Sequence, residues 1–184
     1  MMKKSNFYSN YFSSIFSLSN EIDEDKLENC VEIISKCNEN KNKVIIVGNG
    51  GSASIASHVA IDLTKAAKIR SVNFNESSLL TCFSNDYGYE NWVSNALKAY
   101  ADNGDVVILI SSSGMSANII NGAKQANSMG LKLITVSGFS EKNSLKSLGN
   151  INLWLNSSNY NFVETVHQIW LLSIVDKIIE MQKK

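Results

Sequence analysis

Two short stretches of the chain hold the residue types that bind an anion. Gly48-Asn49-Gly50-Gly51-Ser52 follows the apolar run KVIIV and opens into Ala53 to Ala67, a segment of helical composition. Glycines let the backbone approach an anion closely, the next helix aims its unpaired N–H groups and positive dipole end at it, and Ser52 adds a hydroxyl. Ser111-Ser112-Ser113-Gly114-Met115-Ser116 follows DVVILI and precedes a helix that begins near Ala117. A single serine suffices to cap a helix. Four hydroxyls in six residues, joined by the helix's first amides, can surround a dianionic phosphate. Arg70 is the one arginine among the 17 basic residues, so an arginine clamp on phosphate is nearly unavailable and backbone amides and hydroxyls must do this work.

Gly48, Gly50 and Ala53 also satisfy G-x-G-x-x-A, the dinucleotide fingerprint. That reading needs an acidic residue closing a second strand about 20 residues on. Only Glu76, just past SVNF, comes near, and no nucleotide cofactor is expected.

A second group of residues can move protons or hold a metal. His58 and Asp62 stand at i and i+4 behind the glycine loop and share a helix face. Glu164, His167 and Gln168 form an E-x-x-H-Q cluster near the end of the chain. His58, Asp62 and Glu164 together offer one nitrogen and two carboxylates, a three-ligand set for zinc or another divalent ion with an open position. His167 lies about 60° around the helix from Glu164, so it faces either the cleft or a packed contact.

These residues need a frame that brings strand ends and helix starts together. Apolar positions from Phe7 to Ile34 fall mostly at helical spacing, with a polar break from Ser19 to Asp25, so two helices fill residues 1–40. From residue 43 to 184 strand and helix patterns alternate. Strands are expected at KVIIV, SVNF, DVVILI, LKLITVSG and INLWL, with a turn at Asn85 to Gly88, a short helix over 140–148 and a long last helix from Phe162 to Gln182. Strands apolar on both faces, alternating with helices, make a parallel sheet covered on each side. The expected class is α/β, a three-layer α/β/α sandwich with a five-stranded parallel sheet, and residues 1–184 read as a single domain. Ligands of such sheets sit beyond the strands' carboxyl ends, where both loops fall.

Composition narrows the function classes. The 184 residues are 44% hydrophobic, which supports a full core, and a domain of this size buries roughly 70% of its unfolded surface. The formal charge is +0, so the basic footprint of a nucleic-acid binder is missing. No apolar run approaches a membrane span, and the start, MMKKSNFYSN, turns polar where a signal peptide is apolar, so a cytoplasmic protein is expected. Cys30, Cys37 and Cys82 match neither a disulfide framework nor a zinc ribbon and read as buried, reduced thiols. Trp92, Trp154 and Trp170 read as core or subunit contacts.

GNGGSA, HVAIDL, NDYG, ISSSGMSAN and the ETVHQ helix resemble, in that order, the sugar isomerase (SIS) domain of bacterial phosphoheptose isomerases. The resemblance spans about residues 5 to 181. It implies an aldose–ketose isomerase that converts sedoheptulose 7-phosphate to glycero-manno-heptose 7-phosphate for lipopolysaccharide or capsule synthesis, working as a homotetramer whose neighbours complete each site. Its implied phosphate site is Ser111, Ser112, Ser113 and Ser116 with Ser52 and Asn49, and Asn85 and Asp86 match a turn near the sugar. Asp62 stands at the family's catalytic carboxylate, usually a glutamate. His58 matches a histidine that helps bind zinc in some members, and Glu164 stands where the family has a glutamine that contacts substrate or metal. Leu172 departs from the pattern, for the heptose enzymes carry a catalytic histidine there, and His167 is the substitute acid if it faces the cleft. An isomerase of another sugar phosphate, or a non-catalytic module that binds a phosphosugar or a protein, are the alternative readings.

Overall fold

The computed structural model describes residues 6–183; residues 1–5, on which the reading of a polar start partly rests, lie outside it. α1 (Phe7–Ser19) and α2 (Glu24–Glu39) lead into β1 (Val44–Gly48), α3 (Gly51–Lys65), β2 (Ser71–Asn73), α4 (Ser77–Tyr87) and α5 (Trp92–Tyr100). β3 (Val106–Ser111), α6 (Ala117–Ser128), β4 (Lys132–Ser137), β5 (Ile151–Trp154) and α7 (Tyr160–Met181) complete the order. The five strands form one parallel sheet in the order β2-β1-β3-β4-β5. This is the expected α/β class.

Alternation along the strands builds the two outer layers. Val44 and Ile46 pack with α2, α3 and α7, through Ile34, Ile55, Leu63 and Trp170. Ile45 and Val47 face the other way, into a cluster with Trp92 and Leu97 of α5 and Ile119 of α6. Every residue of β1 and β3 is buried, which is why these strands read as unbroken apolar runs.

Asp105 pins the amino ends of the two central strands. It is fully buried and accepts hydrogen bonds from Lys43 N at 3.0 Å, Asp102 N at 2.8 Å and the Lys43 ammonium at 2.6 Å. Cys30, deep under the sheet, has its thiol pKa pushed up to about 12 by burial and is chemically quiet; Cys37 is buried as expected, whereas Cys82 is exposed on α4.

Two local expectations fail. Residues 140–148 form turns, not a helix. Buried Asn143 donates to Ser137 Oγ and to the carbonyls of Gly138 and Ser140, while its own carbonyl accepts from Lys146 N. Such side-chain bonds give the backbone an alternative to helix. Conversely, Asn85 and Asp86 are not in a turn: α4 runs on through Tyr87 and stops only at Gly88, whose φ of 84° breaks it.

Candidate active site

Gly48 of β1 lies opposite Ile110 of β3, so the loops that leave these strands are neighbours. Asn49, Gly50, Gly51 and Ser52 from the first and Ser111, Ser112, Ser113 and Ser116 from the second line one cavity of about 280 Å³. All eight were singled out in the sequence. Gly48 makes the close approach possible, for a Cβ there would lie 2.5 Å from the Ser52 backbone. Gly50 takes φ 55°, a conformation that favours glycine.

Helix caps show what the cavity can hold. Asp23, Glu76 and Asn159 cap α2, α4 and α7 through their side chains. α3 and α6 start at the cavity without a side-chain cap hydrogen bond. α1 and α5 lack one as well, but of these four uncapped helices only α3 and α6 start at the cavity. Two helix starts converging on hydroxyls make an anion site. Glu76, the acid weighed for a dinucleotide, is occupied: the amides of Ser78 and Leu79 hold its carboxyl below the usual range.

Glu164 reaches the cavity from α7, with Oε1 accepting from Ser112 Oγ at 3.4 Å. Its carboxylate rests against Gly51, where a Cβ would lie 2.1 Å from Oε2. One turn earlier Tyr160 joins the lining, its ring edge-on to Phe139 at 4.8 Å. Tyr160 was not among the residues singled out in the sequence.

His58 and Asp62 form the expected pair on α3, with Nε2 and Oδ2 3.2 Å apart. Gln168 Nε2 lies 3.1 Å from His58 Nδ1. An amide can only donate there, so Nδ1 accepts and Nε2 carries the proton that faces Asp62. Two expectations need correction. His58, Asp62 and Glu164 do not converge, because Glu164 is turned to Gly51 and Ser112, and among the described residues no group of three His, Cys, Asp or Glu side chains could hold a metal ion. His167 does not face the cleft: it is fully buried, bonded through Nε2 to the Ser137 carbonyl at 3.1 Å and packed beside Trp170. Burial pushes its pKa down to about 4. Asn85 and Asp86 sit exposed on the last turn of α4, with Asn85 Nδ2 donating to Asp86 Oδ1, and lie outside the cavity of their own chain. Leu172 is partly buried against the α2, α3 and α7 cluster.

Residues 7–138 match the SIS domain. The chain belongs to that family. Within it, a phosphoheptose isomerase of Syntrophotalea carbinolica is 34% identical over 149 residues, 78% of this SIS chain and 76% of the relative. One of Helicobacter pylori strain P12 is 30% identical over 161 residues, 84% of this chain and 83% of that one. The structure of a phosphoheptose isomerase from Neisseria gonorrhoeae has a TM-score of 0.84 at 26% identity and covers 94% of this chain and 98% of its own. One from Francisella tularensis, at 22% identity and TM-score 0.86, shows the fold alone.

Proposed function

We propose that this protein is a sugar-phosphate isomerase that converts sedoheptulose 7-phosphate to glycero-manno-heptose 7-phosphate, for heptose synthesis in the cytoplasm. One observation carries the reading: the cavity at the tips of β1 and β3, where two helix starts and four serines of one loop meet, in a chain that shares 34% identity with a phosphoheptose isomerase. The phosphate rests on Ser52, Ser111, Ser112, Ser113, Ser116 and the first amides of α3 and α6. A base takes the proton from C1, the enediolate forms, and the proton returns at C2 while the O1 proton passes to O2.

Asp62 is the base, held by the His58 N–H. It serves the cavity of a second copy. Eleven residues of α3 separate Gly51 from Asp62, about 16 Å of helix rise. An extended heptose 7-phosphate spans eight bonds from C1 to phosphorus, about 10 Å at the ~3.6 Å per three bonds of an extended chain. Phe7, Tyr8, Phe12 and Phe16 on α1, each 60% exposed or more, give copies of the chain an apolar face for a homotetramer. Glu164, inside the same chain's cavity, orients the sugar.

Asp62 and Leu172, where the family pattern has a glutamate and a histidine, favour a second reading in which the same chemistry acts on another sugar phosphate. Incubation in D2O with a panel of ketose phosphates, followed by NMR, tests both. Sedoheptulose 7-phosphate is expected to give the aldose with deuterium at C2, and Asp62→Ala to lose about 100-fold or more of the rate. Turnover of a different ketose alone moves the assignment to the second reading, and no turnover of any ketose phosphate rejects both.

A further inference from the structure

Two residues outside the anion-binding loops converge on one atom of the glycine loop. Asn49 Oδ1 accepts from Asn118 Nδ2 at 2.9 Å and from the Tyr89 hydroxyl at 3.1 Å. In return Asn49 Nδ2 donates to Asn118 Oδ1 at 2.9 Å, closing a reciprocal amide pair. Asn118 belongs to the first turn of α6 and is 2% exposed, whereas Tyr89, just past Gly88, is half exposed. The glycine loop is thereby tied to the helix that follows the serine loop.

The hydrogen-bond arithmetic assigns a role to this tie. A carboxamide has two acceptor positions on oxygen and two N–H donors. Both acceptor positions of Asn49 and one of its donors are taken, which leaves one N–H on a residue that lines the anion cavity. Flipped, Asn49 would present its oxygen to the anion, and Tyr89 would have to accept instead of donate. We propose that Tyr89 and Asn118 are positioning residues that lock the Asn49 carboxamide with its remaining N–H directed at an oxygen of the bound phosphate ester. They touch no reacting atom and act through Asn49. The lock makes the site selective for an oxyanion at that position, since the N–H donates to phosphate oxygen and does not accept. This inference rests on the sugar-phosphate reading.

The test is calorimetric titration of sedoheptulose 7-phosphate and of inorganic phosphate into the full chain, with steady-state kinetics and thermal melting alongside. Tyr89→Phe removes one donor from a half-exposed residue and is expected to weaken both ligands about fivefold, the worth of one hydrogen bond. KM should rise in proportion, with kcat and the melting temperature unchanged. In an Asn49→Ala background the same change should have no further effect, because the atom it acts through is gone. Asn118→Asp, which keeps an acceptor for Asn49 Nδ2 but has no donor for its oxygen, should weaken binding in the same direction. Unchanged affinity in Tyr89→Phe, or an equal loss with and without Asn49, overturns the lock while the sugar-phosphate reading stands. Absence of binding by the wild-type chain overturns the reading and the lock with it.

Discussion

At the scale of single residues, the two histidines have separate fates that follow from where α3 and α7 bury them. His58 is exposed and joined to Asp62 and Gln168, so it orients a carboxylate at the surface. His167 is sealed in the core and held near pKa 4 by loss of solvent, with its one hydrogen bond to Ser137 opposing that shift. Between about pH 4 and the usual 6.5 of an exposed imidazole, the unfolded chain binds a proton at this position and the folded chain does not. Stability therefore rises with pH across that window and is lost as pH falls, at roughly 1.4 kcal/mol per pH unit, or roughly 3 kcal/mol over the whole interval. His167→Gln, which can still donate to the Ser137 carbonyl, is expected to remove this component of acid sensitivity. Urea denaturation at pH 4.5, 5.5 and 7 reads it: the difference in stability between the variant and the wild type should shift toward the variant as pH drops. A constant difference would mean that His167 is charged in the fold. Helix geometry placed His167 only to within one of two faces. Burial by β4, 30 residues away in sequence, chose between them.

At the scale of elements, the glycine loop works because β1 and α3 approach each other more closely than any side chain allows. Gly48→Ala would set a Cβ 2.5 Å from the carbonyl carbon and oxygen of Ser52, backbone atoms that cannot rotate away. The expected cost is about 2 kcal/mol or more in thermal or urea unfolding, together with loss of phosphate binding, since α3 must withdraw its first turn from the cavity. Gly51→Ala makes the useful contrast, because the three atoms nearest its Cβ all belong to the movable carboxylate end of Glu164. The strands and the two loops were legible because their signals are local: β-branched runs, glycines after a strand, serines before a helix. Tyr160, Tyr89 and Asn118 were not, because what makes them part of the site is contact across the fold; the Asn118 to Asn49 bond spans 69 residues and the Tyr89 bond 40. Residues 140–148 misread as helix for a related reason, since Asn143 spends its side chain on carbonyls that only the folded loop brings within reach.

At the scale of the whole molecule, the anion cavity and the His58–Asp62 pair lie at different points along one helix, and that separation is the ground for the proposed assembly of copies. The cavity sits at the start of α3 and Asp62 three turns further on, beyond the reach of a single heptose phosphate bound in the same chain. In the proposed assembly a second copy lays its α3 across the first cavity and closes the gap, so that each site draws phosphate ligands from one chain and its carboxylate from another. This arrangement has a consequence that a one-chain site does not share. Asp62→Ala and the double variant Ser111→Ala with Ser113→Ala are each expected to be inactive on their own, one lacking the base and the other the phosphate grip. When the two are unfolded together and refolded as a mixture, some sites receive an intact serine loop from the first chain and an intact Asp62 from the second. Isomerase activity should then reappear, rising with the fraction of mixed assemblies and peaking near equal proportions. If every mixture stays inactive while wild-type chains taken through the same cycle recover, the carboxylate acts within its own chain. Glu164, already inside the cavity, then becomes the base, and Glu164→Gln should abolish turnover where Asp62→Ala does not.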